Sequence, residues 1–333
     1  MLHSTDLFRP PVDPDDHWDL ACVYSLAYLG HVDLKGILID FPPGQRDPDA
    51  LAVSQMNYIT ALAAPLAVGP AAKMKSRRDG PPGAGSDRNA VRLVLDVLRT
   101  TGSPVVINVT GCARTIAVAG KLEPRLFKEK CAAIYLNAGT GSPDKALASR
   151  LEYNVTLDPV AYAAIFDLPC PICWMPCFER MDRAKVVREF GTFYRFRQGE
   201  ILPHLSDRMQ NYFAYALGGI EQSSWLRRLL GPKDRALLDE QGGRFRNMWC
   251  TAGFLHAAGK TVTASGKIVA LDEGAEDPVF TFDPVRVSCD DAGVTRWTMD
   301  NSADDRYIFH VRDIDNYQSA MTAATRSLLT SLP

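Results

Sequence analysis

The sequence lacks the features that mark membrane-spanning, secreted and nucleic-acid-binding proteins. No apolar run reaches the length of about 18 residues that a membrane-spanning helix needs. The first six residues, Met-Leu-His-Ser-Thr-Asp, have neither the basic nor the apolar region of a signal peptide. A formal net charge of −2 gives no basic footprint for nucleic acid or an anionic membrane. We therefore expect a cytoplasmic protein with no nucleic-acid or membrane partner.

Complete cysteine metal motifs are also missing. The chain has eight cysteines in 333 residues, and most of them lie in apolar runs, which is typical of buried thiols in a reducing compartment. Cys170, Cys173 and Cys177 have a spacing found in metal or redox sites, but no second cysteine pair or nearby histidine completes a zinc site. A cysteine–metal protein is therefore the least favoured interpretation of this sequence.

The remaining composition, 46% apolar and 23% charged, is that of an ordinary globular protein. Strand and helix patterns alternate through the first half, which predicts an α/β fold with a doubly wound, mostly parallel sheet flanked by helices. We expect one domain over residues 1–333, with a βα core at 1–177 and a helical and small β portion at 178–333. Residues 69–87 are predicted to form a long loop.

The predicted elements follow from apolar periodicity and from turn residues. Strands are predicted at 2–7, 32–40, 104–109, 131–136, 169–175 and 307–311, with further strands within 260–297. Helices are predicted at 20–29, 47–66, 89–99, 112–119, 158–166, 205–217, 222–230, 234–240, 246–258 and 313–329.

An acidic turn joins the first predicted strand to the first predicted helix. Asp13, Asp15, Asp16 and Asp19 place four carboxylates within seven residues. Neighbouring carboxylates raise one another's pKa, and a divalent cation relieves that repulsion; oxygen ligands alone favour Ca²⁺ or Mg²⁺. Ligands of such folds bind at the carboxyl ends of strands, where this turn is expected. The alternative is a solvated turn in which Asp16 or Asp19 caps the helix.

Four segments of residues 1–180 resemble, in their order along the chain, four segments of the inosine–uridine nucleoside hydrolase family. The resemblance is that of a divergent member of the family. The acidic turn is similar to the family's calcium loop, and Val109-Thr110-Gly111 is similar to its central Val-x-Thr-Gly segment. Leu136-Asn137-Ala138-Gly139 resembles the strand that ends in Met-Gly-Gly. Glu152-Tyr153-Asn154, followed by Asp158-Pro159, resembles the ribose-binding Glu-Phe-Asn and Asp-Pro, and it is the most specific of the four matches.

The resemblance implies a nucleoside hydrolase fold and cleavage of an N-glycosidic bond by water. It implies that Ca²⁺ is held by Asp13, Asp15, Asp16 and the Thr110 carbonyl, with Asp13 also acting as the general base. It further implies that Glu152 and Asn154 hydrogen-bond to ribose hydroxyls, with Asn137 beside them. The substrate would be a nucleoside or another small ribosyl compound, and a homo-oligomer is left open.

The sequence departs from the family pattern in the acidic turn and near residue 250. The Asp pair follows Pro14 directly, so either Asp16 or Asp19 takes the second carboxylate place. The family's late His-Asp pair, which supplies a base-protonating His and a metal-binding Asp, is missing. His256 is the candidate acid, although a structural role is favoured for it, and Trp249 is the candidate for stacking on the base, with core packing as the alternative.

Two hypotheses of different classes remain. The first is a Ca²⁺-dependent N-ribohydrolase, and the second is a ribose- or nucleoside-binding protein that has the same fold but has lost catalysis. Both require the acidic turn, Thr110 and Asn154 to meet at one edge of the sheet.

Overall fold

A computed structural model describes residues 1–9, 14–40, 47–77, 89–180, 186–218, 224–271 and 277–333. The strands in these ranges are β1 (Leu2–Thr5), β2 (Phe8–Arg9), β3 (Gly36–Ile39), β4 (Asp47–Pro48), β5 (Leu66–Val68), β6 (Val105–Val109), β7 (Cys131–Asn137), β8 (Ile172–Met175), β9 (Tyr194–Arg197), β10 (Phe245–Met248), β11 (Lys260–Val262), β12 (Ile268–Ala270), β13 (Phe280–Cys289), β14 (Thr295–Met299) and β15 (Arg306–Val311).

The α-helices in the same ranges are α1 (Asp15–Tyr28), α2 (Ala50–Thr60), α3 (Asn89–Thr100), α4 (Arg114–Leu122), α5 (Pro124–Lys130), α6 (Lys145–Ala148), α7 (Tyr153–Leu157), α8 (Pro159–Ile165), α9 (Asp207–Leu217), α10 (Trp225–Leu229), α11 (Arg235–Gly242), α12 (Thr251–Ala257) and α13 (Ile314–Leu329). None of the helices in the part of the chain that the structure describes is long and apolar enough to cross a bilayer.

Nine strands form one sheet in the order β14-β13-β15-β8-β7-β6-β1-β3-β5. The strands from β15 to β5 run parallel, and β13 and β14 are added antiparallel at one end. The predicted mostly parallel sheet with flanking helices is therefore confirmed. The sheet combines strands from both halves of the chain, because β13, β14 and β15 come from the C-terminal portion.

Both faces of the sheet are covered, as a parallel sheet requires. In β3, Ile37 and Ile39 face one apolar core, whereas Leu38 between them faces the other. The first core includes the large side chain Trp18 of α1, and the second includes Trp174 of β8. Alternation of adjacent residues between two buried faces explains why these strands read as continuous apolar runs.

The strand order reverses at β1, because the chain builds β3 and β5 on one side of it and β6, β7 and β8 on the other. A crevice forms at such a reversal, outside the carboxyl ends of the strands, where the two neighbouring crossovers diverge. Asp6 follows β1 and Thr110 follows β6 at this point. The fold therefore brings these two residues to the same edge of the sheet.

Two predicted elements differ from the structure. The helix predicted at 246–258 begins only at Thr251, and the residues before it form β10, which pairs with β9. The helix predicted at 47–66 is shorter, because residues 47–48 form β4 and Leu66 begins β5. In both places a strand partner distant in sequence overrides the helical pattern.

Candidate functional site

Two aspartates form a carboxyl pair at the reversal point. Asp6 and Asp16 share a side-chain hydrogen bond, and Thr5 Oγ1 also donates to Asp16 Oδ1. Burial raises the pKa of both carboxyl groups well above the usual range. The charges of Asp40 and Asp15 raise the pKa of Asp6 further, and the charges of Asp6 and Asp19 raise that of Asp16. A hydrogen bond between two carboxyl groups needs one proton, so Asp6 and Asp16 share one.

The acidic turn does not cap α1 with a side chain. Pro14 is the N-cap residue and makes no side-chain capping hydrogen bond. Asp15 is half-buried, and its charge raises the pKa of Asp6, which places it near the carboxyl pair. The alternative of a cap formed by Asp16 or Asp19 is therefore not what the structure shows. Asp13, the predicted general base, lies outside the described residues.

Thr110 links the carboxyl pair to the second predicted motif. Thr110 Oγ1 lies 3.5 Å from Asp16 Oδ1, and the Thr110 carbonyl accepts a hydrogen bond of 3.2 Å from Asn154 Nδ2. Asn154 Nδ2 also donates to the Asn137 carbonyl at 3.1 Å. Asp16, Thr110, Asn154 and Asn137 thus form one connected network, as the order of motifs led us to expect.

Glu152 is buried beside this network. Its Oε1 accepts from the Asn154 amide at 2.9 Å, which caps α7, and its Oε2 accepts from the Gly139 amide at 3.0 Å. Burial raises the pKa of Glu152, although these backbone donors oppose the shift. The Glu-Tyr-Asn turn is therefore held in place by its own backbone hydrogen bonds.

The side chain of Asn137 is engaged by the protein rather than open to a ligand. Its Nδ2 donates to the Met175 carbonyl and to Thr192 Oγ1, both at 3.0 Å. Its Oδ1 accepts from the thiols of Cys250 at 3.2 Å and Cys177 at 3.5 Å. The substrate-binding role of Asn137 stays a prediction, and these contacts favour a structural one.

The region of the missing His-Asp pair contains an aromatic group and a thiol. Trp249 is half-buried and packs near-perpendicular on Phe178, with ring centroids 5.8 Å apart. Cys250 is buried, and burial raises the pKa of its thiol. The Asp19 carboxyl lies within hydrogen-bonding distance of the Cys250 thiol, and burial raises the pKa of Asp19 to about 7. Asp19 therefore contacts position 250, whereas Asp16 contacts Asp6 and Thr110.

His256 lies near the C-terminal end of α12. Its Nδ1 hydrogen-bonds to the Tyr135 hydroxyl at 2.7 Å, and its ring packs on Phe282 with centroids 4.4 Å apart. Burial lowers its pKa to about 4, so the imidazole is neutral near pH 7. The catalytic role of His256 stays a prediction, and its contacts favour a structural one.

The three cysteines with metal-like spacing have separate partners. Cys170 hydrogen-bonds to Cys131, Cys173 to Tyr135 and Cys177 to Asn137. All eight cysteines are buried free thiols. Over the ranges that the structure describes, no group of three His, Cys, Asp or Glu side chains is arranged to hold a metal ion.

Sequence reasoning missed two carboxylates of this edge, Asp6 and Asp40. Asp6 appeared only as the end of the first predicted strand, and Asp40 as the end of the second. An acidic residue directly after a buried parallel strand is the signal that could have found both, because parallel strand ends meet at one edge.

No family model matches the chain, and no curated protein matches it. Solved structures do match. A purine-preferring ribonucleoside hydrolase from Gardnerella vaginalis superposes with a TM-score of 0.58 at 13% identity, covering 99% of this chain and 98% of its own. A plant nucleoside hydrolase matches with a TM-score of 0.57 at 14% identity, covering 98% of both chains.

A type III effector, XopQ, solved with adenosine diphosphate ribose, matches with a TM-score of 0.54 at 14% identity, covering 98% of this chain and 93% of its own. These comparisons confirm the nucleoside hydrolase fold. The low identities agree with the expectation of a divergent relative.

Proposed function

We propose that this protein hydrolyses the N-glycosidic bond of a ribonucleoside or of a related ribosyl compound, with Ca²⁺ as cofactor. The observation that carries the proposal is the connected network of Asp6, Asp16, Thr110, Asn154 and Glu152 at the reversal point of a nucleoside hydrolase fold. It combines acidic groups with hydroxyl-binding groups, which cleavage of a sugar–base bond requires.

The donor set fits a hard cation in its chemistry. Asp6, Asp16 and the Thr110 carbonyl offer only oxygen atoms, which Ca²⁺ prefers. The two carboxyl groups are held together by a proton, and a cation can take the place of that positive charge. When bound, a divalent cation supplies a fixed positive charge that orients ribose hydroxyls and lowers the pKa of nearby water. Asp15 completes the proposed set, together with Asp13 of the sequence prediction.

Among the described carboxylates, Asp6 is proposed to accept a proton from the attacking water. It is half-buried, and its raised pKa makes it a stronger base than an ordinary aspartate. A neighbouring carboxylate, Asp16, also stabilises the positive charge that develops on the ribose ring. The role of Asp13 as the base is carried forward as the alternative assignment.

Glu152 and Asn154 are proposed to bind the ribose hydroxyls. Asn154 Oδ1 remains for a hydroxyl donor, since both described contacts of its side chain use Nδ2. Buried polar groups of this kind discriminate strongly against ligands without the matching hydroxyl. We expect 2′-deoxy or 3′-deoxy ribosyl compounds to bind much more weakly than their ribo counterparts.

We propose an aromatic stacking partner for the leaving base, but the described residues at positions 249–250 offer no acid for it. Trp249 is the candidate stacking partner. Cys250 has a raised pKa, and His256 is neutral and bound to Tyr135. We therefore expect a preference for leaving groups that depart without protonation.

The second candidate is a ribosyl-binding protein without turnover. The absence of a described acid at positions 249–250 favours it, since the hydroxyl-binding network is independent of that acid. The ADP-ribose bound to XopQ makes larger ribosyl compounds candidate ligands under either proposal.

A single assay distinguishes the hydrolase from the ribosyl-binding protein. The purified chain is incubated with calcium and a panel of nucleosides and ADP-ribose, and release of free base or ribose is followed by chromatography. The hydrolase proposal predicts base release that Asp6→Asn reduces at least 100-fold. Saturable ligand binding with no product, equal in wild type and Asp6→Asn, supports the binding protein instead.

A further inference from the structure

Phe178 and Trp249 form an aromatic pair beside the proposed ribose-binding turn. Both side chains are half-buried, and their rings lie near-perpendicular with centroids 5.8 Å apart. The Phe178 carbonyl accepts a hydrogen bond from the Gly141 amide at 2.7 Å. In the same loop, the Gly139 amide donates to Glu152 Oε2 at 3.0 Å. The aromatic pair is therefore tied to the loop that holds the proposed ribose-binding glutamate.

The chain neighbours of this pair lead to the same place. Cys177 and Cys250 both hydrogen-bond to Asn137 Oδ1, at 3.5 Å and 3.2 Å. The backbone carbonyl of Asn137 accepts from Asn154, the second proposed ribose-binding residue, at 3.1 Å. The aromatic pair and the ribose-binding groups therefore belong to one connected region.

Carboxylates surround the two thiols that flank the aromatic pair. Burial is the largest cause of the raised pKa of Cys177 and of Cys250, and the charges of nearby carboxylates add to it. These carboxylates are Glu152, Asp15 and Asp6 at the first thiol, and Asp19 and Asp16 at the second. Glu152 and Asp19 are not among the ligands proposed for the cation, so filling that site leaves these two carboxyl groups in place. A positive charge beside the rings is attracted both by such groups and by the aromatic faces.

The described groups around this pair are poor acids for a leaving base. The Cys250 thiol has a raised pKa, and the Asp19 carboxyl beside it is only 2% exposed. Without an acid, the base of a neutral nucleoside has to leave as an anion. A ring that already carries a positive charge needs no acid, because the electron pair of the broken bond neutralises it.

We propose that the substrates are nucleosides whose base is a cationic N-ribosylated ring, such as a pyridinium, and that this ring lies against Phe178 and Trp249. The inference rests on the proposed function, because it names the leaving group of that reaction. Water forms the new bond to C1′, its proton passes to Asp6, and the C1′–N bond breaks. The electron pair of that bond returns to the ring nitrogen. The cationic nucleoside and water thus give ribose, a neutral base and one proton.

The test compares two pairs of substrates that share the ribose and differ in the charge of the base. Nicotinamide riboside is paired with its reduced dihydro form, and N7-methylguanosine with guanosine. Base release by the full chain is followed by chromatography, and the uncatalysed rate of each compound is subtracted. We expect the cationic member of each pair to have the higher kcat/KM by roughly 100-fold or more, because the neutral member lacks an acid.

Variants of Trp249 separate recognition by the protein from the intrinsic lability of cationic nucleosides. Trp249→Leu is expected to raise the KM for nicotinamide riboside about tenfold and to leave kcat within about twofold, whereas Trp249→Phe stays near wild type. The matched control is Trp225→Leu, which changes a half-buried tryptophan of α10 that packs on Tyr58, and it is expected to change neither constant. If Trp249→Leu melts well below wild type, Phe178→Leu takes its place with the same expected rise in KM.

The outcomes distinguish this inference from the proposed function. Equal kcat/KM within both pairs, or an unchanged KM for nicotinamide riboside in the folded leucine variant, overturns the cationic leaving group. Hydrolysis of guanosine at the rate of its methylated partner does so while leaving the proposed function standing. Release of no base from any of the four compounds overturns both.

Discussion

Asp40 and Asp49 are both buried carboxylates near the start of the chain, yet their surroundings are opposite. Asp49 accepts hydrogen bonds from His17 Nε2 at 3.0 Å and from the Tyr215 hydroxyl at 2.7 Å. Burial alone would raise its pKa, but these donors hold it below the usual range. Asp40 has an oxygen without a partner and a pKa well above the usual range, chiefly through burial.

The difference separates carboxylates that are satisfied by protein donors from carboxylates that lie beside one another with raised pKa values. Asp49 and Asp158 are satisfied by protein donors, and each joins distant segments. Asp6, Asp16 and Asp40 instead raise one another's pKa at the reversal point of the sheet. A cluster of carboxyl groups with raised pKa values at one edge of a sheet is typical of a functional site, even though it destabilises the fold.

The largest loss of stability is expected when the buried Arg114–Asp158 ion pair is broken. Arg114→Met leaves Asp158 buried without its partner, so the free energy of unfolding should fall by about 3–5 kcal/mol. Urea denaturation measures it. Arg125→Met removes an exposed partner of Glu129 and should change nothing measurable. A loss below about 1 kcal/mol in Arg114→Met would contradict the structural role of this pair.

The second effect concerns the close approach at Gly111. Gly111→Ala places a methyl group against Asp40 Oδ2 and the Asp6 backbone, which should cost about 1–3 kcal/mol of stability and most of the proposed activity. Thermal denaturation and the base-release assay measure the two losses. Gly102→Ala is the matched control, because no atom lies within 4 Å of its added Cβ. Equal stability and equal base release in Gly111→Ala and Gly102→Ala would contradict this geometry.

The third effect is a pH dependence at Asp19, whose folded-state pKa is about 7. Because the folded state binds this proton more tightly, its stabilising contribution is present below about pH 4 and is lost as the pH rises to 7. Relative to Asp19→Asn, wild type should lose up to about 1.4 kcal/mol per pH unit in that window. Denaturation of both proteins from pH 4 to 8 tests this, and a constant difference between them argues against it.

The smallest effect is expected at His256. Tyr135→Phe removes its hydrogen bond of 2.7 Å and should cost about 1 kcal/mol of stability without changing the rate of base release. If the rate instead falls tenfold or more while the fold stays intact, His256 belongs to the catalytic machinery, which the sequence analysis gave as the less favoured of its two roles.

The parallel sheet could be predicted because buried strands and amphipathic helices leave strong local patterns. The strand β10 could not, since Phe245–Met248 is defined by pairing with Tyr194–Arg197, almost fifty residues earlier. Local patterns do not record such long-range partners.

The same limit applies to the site. Thr110, Asn154 and Glu152 were found because each belongs to a short motif. Asp6 was missed, because its approach to Asp16 depends on the path of the intervening turn rather than on a local spacing. Asp13 was predicted instead, because it stands closer to the Asp15–Asp16 pair in sequence; it lies outside the described residues.

The two-stranded sheet of β2 and β4 joins two segments at this edge of the protein. Phe8 and Arg9 pair with Pro48 and Asp47, and the Asp49 amide donates to the Leu7 carbonyl at 2.9 Å. Residues 7–9 and residues 47–49 are thereby hydrogen-bonded to each other. We expect them to exchange amide hydrogens for deuterium as one cooperative unit, and to become protected together when a ribosyl ligand binds.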